Sequence, residues 1–190
     1  MALRPNQVVT GEVRLSYVHL FEPYGMEGQE PKYSVTLLIP KTDTDTYNRI
    51  QAAINAAIED GVSKKWGGTR PANLKTPLHD GDKNRPNGDP YPPECKGHWV
   101  MTASSKQQQQ VVDAALNPII DQTKVYSGVY GRVHLTFYAY NRNGNRGVGA
   151  ALGPVQILRD GEPLGGKVSA EQVFTAVQID PITGQPITGA

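Results

Sequence analysis

Two stretches near the start of the chain alternate hydrophobic and polar residues with the period of a half-buried β-strand. In residues 11–21 the alternation puts five side chains on one face: Val13, Leu15, Tyr17, His19 and Phe21. In residues 32–40 it groups Tyr33, Val35, Leu37 and Ile39. Pro40 is predicted to end the second strand, because it has no N–H to donate to a neighbouring strand. Residues 22–31, rich in Gly and Pro, predict a hairpin loop between the two strands.

The spacing of hydrophobic residues changes to three and four after Thr42, which predicts one helix. Its apolar positions are Tyr47, Ile50, Ala53, Ile54, Ala57 and Ile58. Threonine and aspartate at 42–45 can cap its start, and Gly61 is predicted to end it. Residues 67–93 then hold Gly, Pro, Asn and Asp at high density, and a loop of that length is usually functional or mobile.

Strand patterns return in the second half of the chain. Residues 98–104 and 109–114 have strand character, and residues 127–140 give the longest strand signal. Residues 141–149 predict a loop, and Asp160 with Gly161 predicts a hairpin turn further on. About five strands, one helix and long loops predict a mainly β fold, a five-stranded Greek-key barrel with long loop insertions, because helices to connect a parallel sheet are too few.

The 190 residues suffice for one well-buried core, and we expect a single domain over residues 1–175 followed by a mobile tail over residues 176–190. We find no apolar run long enough to span a bilayer, and the N-terminal residues do not resemble a secretory signal. The single cysteine, Cys95, is consistent with a reducing compartment. These features predict a cytoplasmic protein without membrane contact.

The charge is unevenly distributed although the formal net charge is only +1. Residues 64–146 hold twelve Lys or Arg and six Asp or Glu, whereas the rest of the chain holds seven and twelve. A positive field confined to one surface attracts a polyanion more strongly than the total charge suggests, provided that the fold keeps the middle segment together.

The strand predicted at 127–140 has two contrasting faces. One is apolar and comprises Val129, Val133, Leu135, Phe137 and Ala139. The other comprises Tyr130, Arg132, His134, Thr136, Tyr138 and Tyr140, and Arg142 and Arg146 follow it. Cations for phosphates beside flat rings for bases are what single-stranded nucleic-acid binding needs. A solvated strand face has the same appearance, because Tyr and Thr favour strands in any case.

The two tryptophans are weaker indicators of a binding site than the strand at 127–140. Trp66, beside Lys64 and Lys65, is predicted either to cap the core or to form a stacking loop, and the first is favoured because Trp is usually buried. Trp99 alternates with Met101 and is assigned to the core.

A zinc site or a magnesium nuclease site can be drawn from five residues: His79, Asp80, Asp82, Cys95 and His98. A closed zinc site normally shows two ligand pairs, and the only pair here is Cys95 with His98. We therefore predict no metal and no cofactor. Neither a Walker-type phosphate loop nor a nucleophile elbow is found, so no catalytic residue is predicted.

Several segments in order resemble a family of phage proteins, long labelled a domain of unknown function, whose members are OB-fold proteins that bind single-stranded DNA. The segments are KYSVTLLIPK, PLHDGD, GHWVMTASSK with VVDA, YSGVYGRVHLTFYAYNRNGNRGVGAALGPVQ, and DGEPLGG with SAEQVF. Together they cover most of residues 33–174. The resemblance implies an OB-fold and a role in phage DNA replication or recombination in the cytoplasm of a bacterial host. It also favours DNA contact at the tyrosine-bearing face.

The resulting hypothesis is sequence-independent binding of single-stranded DNA, with phage replication or recombination proteins and further copies of the chain as possible partners. The residues predicted to contact phosphates or bases are Lys64, Lys65, Trp66, Lys75, Arg85, Tyr91, Lys106, Tyr130, Arg132, Tyr138, Tyr140, Arg142 and Arg146. Two alternatives stay open: a metal-dependent nuclease that uses His79, Asp80 and Asp82, and a self-associating structural phage protein. The chain also departs from single-strand binders with acidic tails, because Asp180 is its only late carboxylate.

Overall fold

A computed structural model describes residues 2–164 and 174–187 of the chain. The elements in chain order are β1 (Gln7–Val9), β2 (Val13–Tyr24), β3 (Lys32–Pro40), α1 (Thr44–Lys64), β4 (His79–Asp80), β5 (His98–Ser105), β6 (Val111–Val112), β7 (Tyr130–Arg142) and β8 (Asn145–Arg159). Two short 3₁₀ turns lie at Pro93–Cys95 and Gln122–Lys124.

Within the described residues, five long strands close into a barrel. β2 pairs antiparallel with β3, β3 with β5, and β7 with both β2 and β8. The ring is completed where β5 runs parallel to β8, at Ser104 and Ala151. The short strands β1, β4 and β6 extend it along β7, β5 and β8. The predicted mainly β fold is confirmed, and the barrel is of the OB type.

The barrel interior is built from the apolar faces that the sequence predicts. Val35, Leu37 and Ile39 of β3 are fully buried, as are the residues of β7 that alternate from Val133 to Phe137. β3 is also covered on its other face, where Leu38 is fully buried in a small second core with Cys95 and Val100. The strand in the middle of the sheet therefore separates two cores, and only part of its outer face is open.

Helix α1 packs against β7 and supports it from the side. Asp43 caps the helix by accepting a hydrogen bond from the backbone N–H of Thr46 (3.1 Å). The prediction that Gly61 ends the helix was wrong, because the helix continues to Lys64. A side chain at Gly61 would collide with Ala139 of β7, so this residue allows helix and strand to approach closely.

The alternation predicted for residues 11–21 breaks in the middle of β2. Tyr17 has a φ of 45°, and the register against β3 shifts between Ser16 and His19. An extra residue of this kind reverses which side chains face inward. Leu20 is therefore buried and Tyr17 is 53% exposed, so the assignment of Tyr17 and His19 to the same face as Leu15 was wrong.

The loop predicted at 141–149 is a tight hairpin. Its two turn residues are Asn143 and Gly144, with φ of 51° and 85°. Positive φ at both positions suits the type I′ turn that joins twisted strands. β7 and β8 thus form one long ribbon whose tip lies at Arg142 and Asn145.

The hairpin turn predicted at Asp160 and Gly161 was wrong. β8 ends at Arg159, and the chain then runs beside residues 127–128, where the backbone N–H of Leu164 donates to the carbonyl of Ser127 (2.8 Å).

The domain boundary predicted at residue 175 stays a prediction, because residues 165–173 and 188–190 lie outside the described residues, as does most of the SAEQVF segment. Among the helices of the described ranges, none is long and apolar enough to cross a membrane.

Candidate nucleic-acid interface

The outer faces of β3 and β5 carry a row of small hydroxyl side chains, which we call the floor: Thr102 is exposed, Ser34 and Ser104 are half-buried, and Thr36 is buried. Ser34 pairs with Ser104 and Thr36 with Thr102 across the two strands. The hydroxyls of Thr36 and Thr102 lie 2.9 Å apart and form a hydrogen bond. Because these side chains are short, a ligand on this floor reaches close to the sheet.

The loop that follows β4 forms the first wall. A hollow of about 360 Å³ lies between this loop and the floor, and its lining includes His79, Arg85, Asn87, Tyr91 and Thr102. The guanidinium carbon of Arg85 lies 5.2 Å from the centre of the Tyr91 ring, a cation–π distance. The buried Nε of Arg85 has no hydrogen-bond partner among residues 2–164 and 174–187. The hollow therefore brings an aromatic ring and a guanidinium group side by side.

His79 adds a polar group without adding charge. Burial lowers the pKa of His79, so its ring is neutral at pH 7. A neutral imidazole can donate one hydrogen bond and accept another, which suits polar contact with a base or sugar.

The second hollow lies at the other end of the floor and measures about 660 Å³. Its lining includes Tyr24, Lys32, Ser34, Ser104 and Arg142. Tyr24 stacks on His19 with ring centres 4.4 Å apart. The hairpin loop after β2 and the tip of the β7–β8 ribbon therefore bring two cations and an aromatic stack to one place. We call the floor and its two hollows the groove.

The rings on the outer face of β7 lie against glycines of β8. Tyr138 pairs with Gly149 and Tyr140 with Gly147. A Cβ on Gly149 would meet the Tyr138 ring at 2.5 Å, and one on Gly147 would meet the Tyr140 hydroxyl at 2.8 Å. Each ring thus lies over a strand that has no side chain beneath it. Tyr138 remains 41% exposed and is the more accessible of the two.

The sequence matches the family model described as Enterobacter phage Enc34, ssDNA-binding protein, over residues 6–181. The chain belongs to this family. A similar solved structure is the single-stranded DNA-binding protein from bacteriophage Enc34 in complex with ssDNA: it is 31% identical, the match covers 84% of this chain and 90% of that one, and the TM-score is 0.69.

Two further comparisons bear on the family and the fold. Protein p50 of Acyrthosiphon pisum secondary endosymbiont phage 1 is 33% identical over 180 residues, which cover 88% of this chain and 92% of that protein. The single-stranded DNA binding protein gp2.5 encoded by bacteriophage T7 is 16% identical with a TM-score of 0.60, over 89% of this chain and 94% of that one. At that identity the likeness concerns the fold alone.

The structure brings some of the predicted residues of this Enc34-family chain to the groove. Arg85 and Tyr91 line the first hollow and Arg142 lines the second. Lys106 pairs with Glu30 (3.5 Å) at the edge of the second hollow. By strand alternation, Tyr138 and Tyr140 lie on the same face of β7 as Arg142.

Two more predicted cations lie near Tyr140. Lys75 pairs with Gly147, directly opposite Tyr140, and its backbone N–H donates to the carbonyl of Arg146 (3.2 Å). Lys75 thus flanks the tyrosine-bearing part of the ribbon rather than the floor, whereas Arg146 pairs with Asn141 and by strand alternation projects from the opposite face of the ribbon.

The remaining predicted residues lie away from the groove. Lys64 and Lys65 are at the end of α1, where Lys64 pairs with Asp60 (2.9 Å). Trp66 is only 7% exposed, and its indole N–H donates to the carbonyl of Tyr140 (3.1 Å), which is the core-cap arrangement. Trp99 is half-buried and packs against the main core.

Tyr130 and Arg132 lie at the opposite end of β7. The guanidinium carbon of Arg159 is 3.8 Å from the centre of the Tyr130 ring, and Arg14 lies 5.6 Å from it. Nε of Arg132 donates to the carbonyl of Thr10 (3.2 Å). Both side chains therefore have partners within the protein.

Sequence reasoning missed the residues of the floor and much of the second hollow. They are Tyr24, Lys32, Ser34, Thr36, His79, Thr102 and Ser104. A signal for four of them was present: Ser34 and Thr36 alternate with the core residues of β3, and Thr102 and Ser104 do so in β5. That the two strands are neighbours is decided by long-range pairing, which the periodicity does not contain.

The acidic residues of the HDGD segment are held by a lysine. Nζ of Lys41 lies 2.6 Å from Asp80 and 2.7 Å from Asp82, in the place between the carboxylates that a cation would take. Cys95 is buried in the small second core, and burial raises the pKa of its thiol. Across residues 2–164 and 174–187 we find no group of three or more His, Cys, Asp or Glu arranged to hold a metal ion.

Proposed function

We propose that this protein binds single-stranded DNA along the groove without reading its sequence, and coats it during phage DNA replication or recombination in the cytoplasm of a bacterial host. The observation that carries the proposal is the groove itself: a floor of small hydroxyls on β3 and β5, with cations and aromatic rings at both ends. Family membership and the likeness to the Enc34 protein in complex with ssDNA support it.

The position of the groove on the barrel also supports the proposal. OB-folds bind oligonucleotides on the face of their second and third strands, between the loops that join strands 1 to 2 and 4 to 5. In this barrel those strands are β3 and β5, and those loops are residues 25–31 and 143–144. Both loops border the second hollow through Tyr24, Lys32 and Arg142.

In this mechanism phosphates meet Lys32, Arg85 and Arg142, while bases stack on the half-buried ring of Tyr91 and the exposed ring of Tyr24. Each stacked base contributes about 1–3 kcal/mol regardless of its identity, because every base has a π-face. The neutral hydroxyls of the floor let the strand lie close to the sheet without selecting a base. We propose no catalytic residue, and the protein acts as a binder rather than an enzyme.

The rings of the β7–β8 ribbon extend this surface. We propose that Tyr138 and Tyr140, with Lys75 beside them, receive bases beyond the groove. Exchange of both tyrosines for alanine is expected to weaken binding while leaving the fold intact. Unchanged affinity for single-stranded DNA would show that the two tyrosines of the ribbon do not belong to the interface.

The experiment is a fluorescence-anisotropy titration of labelled oligo-dT and of a matched duplex at low and moderate salt, with magnesium present in a parallel series. We expect tight binding to the single strand and weak binding to the duplex, with a salt slope of about −0.7 per neutralised phosphate. The oligonucleotide should keep its length, whereas a nuclease would shorten it. Absence of binding to either nucleic acid would refute the proposal.

A substitution of Tyr91 tests whether the ring in the first hollow stacks on a DNA base. Tyr91→Ala is expected to weaken oligo-dT binding by about 1–3 kcal/mol, because one stacked base is lost. Tyr130→Ala is the matched control, since that ring is already covered by Arg159 and lies outside both hollows. Equal losses from the two variants would contradict a specific stacking role for Tyr91 in the first hollow.

A further inference from the structure

A lysine at the end of β3 fastens the first wall of the groove. Nζ of Lys41 donates to Oδ1 of Asp80 (2.6 Å) and to Oδ2 of Asp82 (2.7 Å). The carboxylates are also tied to the backbone: Asp80 accepts from the N–H of Asp82 (2.9 Å), and Asp82 accepts from the N–H of Gly97 (3.0 Å). We call Lys41, Asp80 and Asp82 the clasp.

Lys41 is itself held in place by rigid elements. Its Nζ lies 4.8 Å from the centre of the Trp99 ring in β5, and Trp99 stacks on Tyr47 of α1 with ring centres 4.7 Å apart. The backbone N–H of Lys41 donates to the carbonyl of Gly97 (3.0 Å). The clasp therefore connects the loop to both the sheet and the helix.

Beside the clasp, the start of the loop is also attached to β5, where the backbone N–H of Gly81 donates to the carbonyl of His98 (2.9 Å). β4 contributes two residues that pair with Val100 and Trp99 of β5. Gly81 lies so close to the carbonyls of Cys95 and His98 that a Cβ would not fit, which fixes the path of the chain at that point. A few residues further on, Arg85 and Tyr91 face the first hollow. Tyr91 also packs against the small second core, while the clasp holds the start of the loop that carries both side chains.

We propose that the clasp positions Arg85 and Tyr91 for DNA, so that Lys41, Asp80 and Asp82 are positioning residues of the binding site. This inference rests on the proposed function. It implies that two carboxylates beside a DNA-binding surface strengthen DNA binding. By holding the loop in place they stabilise the position of Arg85 and Tyr91, and this gain exceeds their electrostatic repulsion of phosphate.

The deciding variant is the double exchange of Asp80→Asn and Asp82→Asn. Simple electrostatics predicts tighter binding, since two negative charges are removed. The clasp predicts weaker binding to oligo-dT, by about tenfold, the equivalent of one stacked base. Asp89→Asn is the matched control, because Asp89 lies in the same loop but outside the clasp. The affinity of this variant for oligo-dT should equal that of the wild-type protein or be slightly higher.

The lysine provides a second comparison. Lys41→Met should weaken binding more than Lys83→Met, although each removes one positive charge from this region. Lys41→Arg should restore affinity, because a guanidinium can still bridge the two carboxylates. Hydrogen exchange should show faster exchange of the amides of residues 81–97 in Lys41→Met and in the double variant, and wild-type rates in Lys41→Arg.

The outcomes separate the two proposals. If wild-type protein and Asp89→Asn bind oligo-dT and the double variant binds equally well or more tightly, the clasp proposal is overturned and the proposed function stands. If wild-type protein does not bind oligo-dT at all, the proposed function itself fails.

Discussion

At the scale of single residues, glycines opposite aromatic rings shape the tyrosine-bearing face. Gly149 lies under Tyr138, and a side chain there would occupy the space of the ring. The sequence shows these glycines only as loop-like residues between 144 and 153, because their role depends on the strand across from them. A glycine in a strand is otherwise unfavourable, which makes the close approach of the rings the physical reason for its presence.

Gly149→Val tests whether the orientation of the Tyr138 ring over β8 contributes to DNA binding. The new side chain should displace the ring and weaken oligo-dT binding about as much as Tyr138→Ala does, by about 1–3 kcal/mol. Anisotropy titrations of the two single variants and the double variant form the measurement. The double variant should lose no more than either single one, because both act on the same contact. Additive losses would show that the valine acts elsewhere.

At the scale of elements, the periods of the sequence predict the strands and the helix but not their interruptions. Residues 32–40 and 127–140 show clean alternation because each buries one whole face in the core. The break at Tyr17 and the continuation of α1 through Gly61 depend on what packs against them, namely β3 and Ala139. The clasp joins residues about forty positions apart, so the sequence of HDGD indicates turn residues and does not show that Lys41 lies between the two carboxylates.

The clasp also predicts how stability depends on pH. The hydrogen bonds from Lys41, with those from backbone N–H groups, lower the pKa of Asp80 and of Asp82 below the ordinary 3.8. The folded state therefore binds fewer protons than the unfolded state near that pH. The contribution of the two ionised carboxylates to the free energy of unfolding is complete above pH 3.8 and is lost as the pH falls through their lowered pKa values. Urea unfolding at several pH values should show wild-type protein more stable than the Asp80→Asn, Asp82→Asn double variant at pH 7. The difference should shrink in acid, and a constant difference would contradict this account.

At the scale of the whole molecule, the barrel brings together residues from distant parts of the chain. Arg85, Tyr91 and Arg142 were among the residues predicted to contact phosphates or bases, and the fold places them at the two hollows of the groove. Trp66 and Tyr130 were also among them, yet each has a partner inside the protein. Local composition therefore finds candidate residues, and closure of the barrel determines which of them share a surface.

The position of the DNA on the molecule is the central claim, and one charge placed on the floor tests it most directly. Thr102→Glu puts a carboxylate at an exposed position of the floor that lines the first hollow, whereas Gln122→Glu adds the same charge at an exposed site outside both hollows. Anisotropy titration of labelled oligo-dT at moderate salt should show a large loss of affinity for Thr102→Glu and little change for Gln122→Glu. Equal affinities for the two variants would contradict binding of single-stranded DNA across β3 and β5.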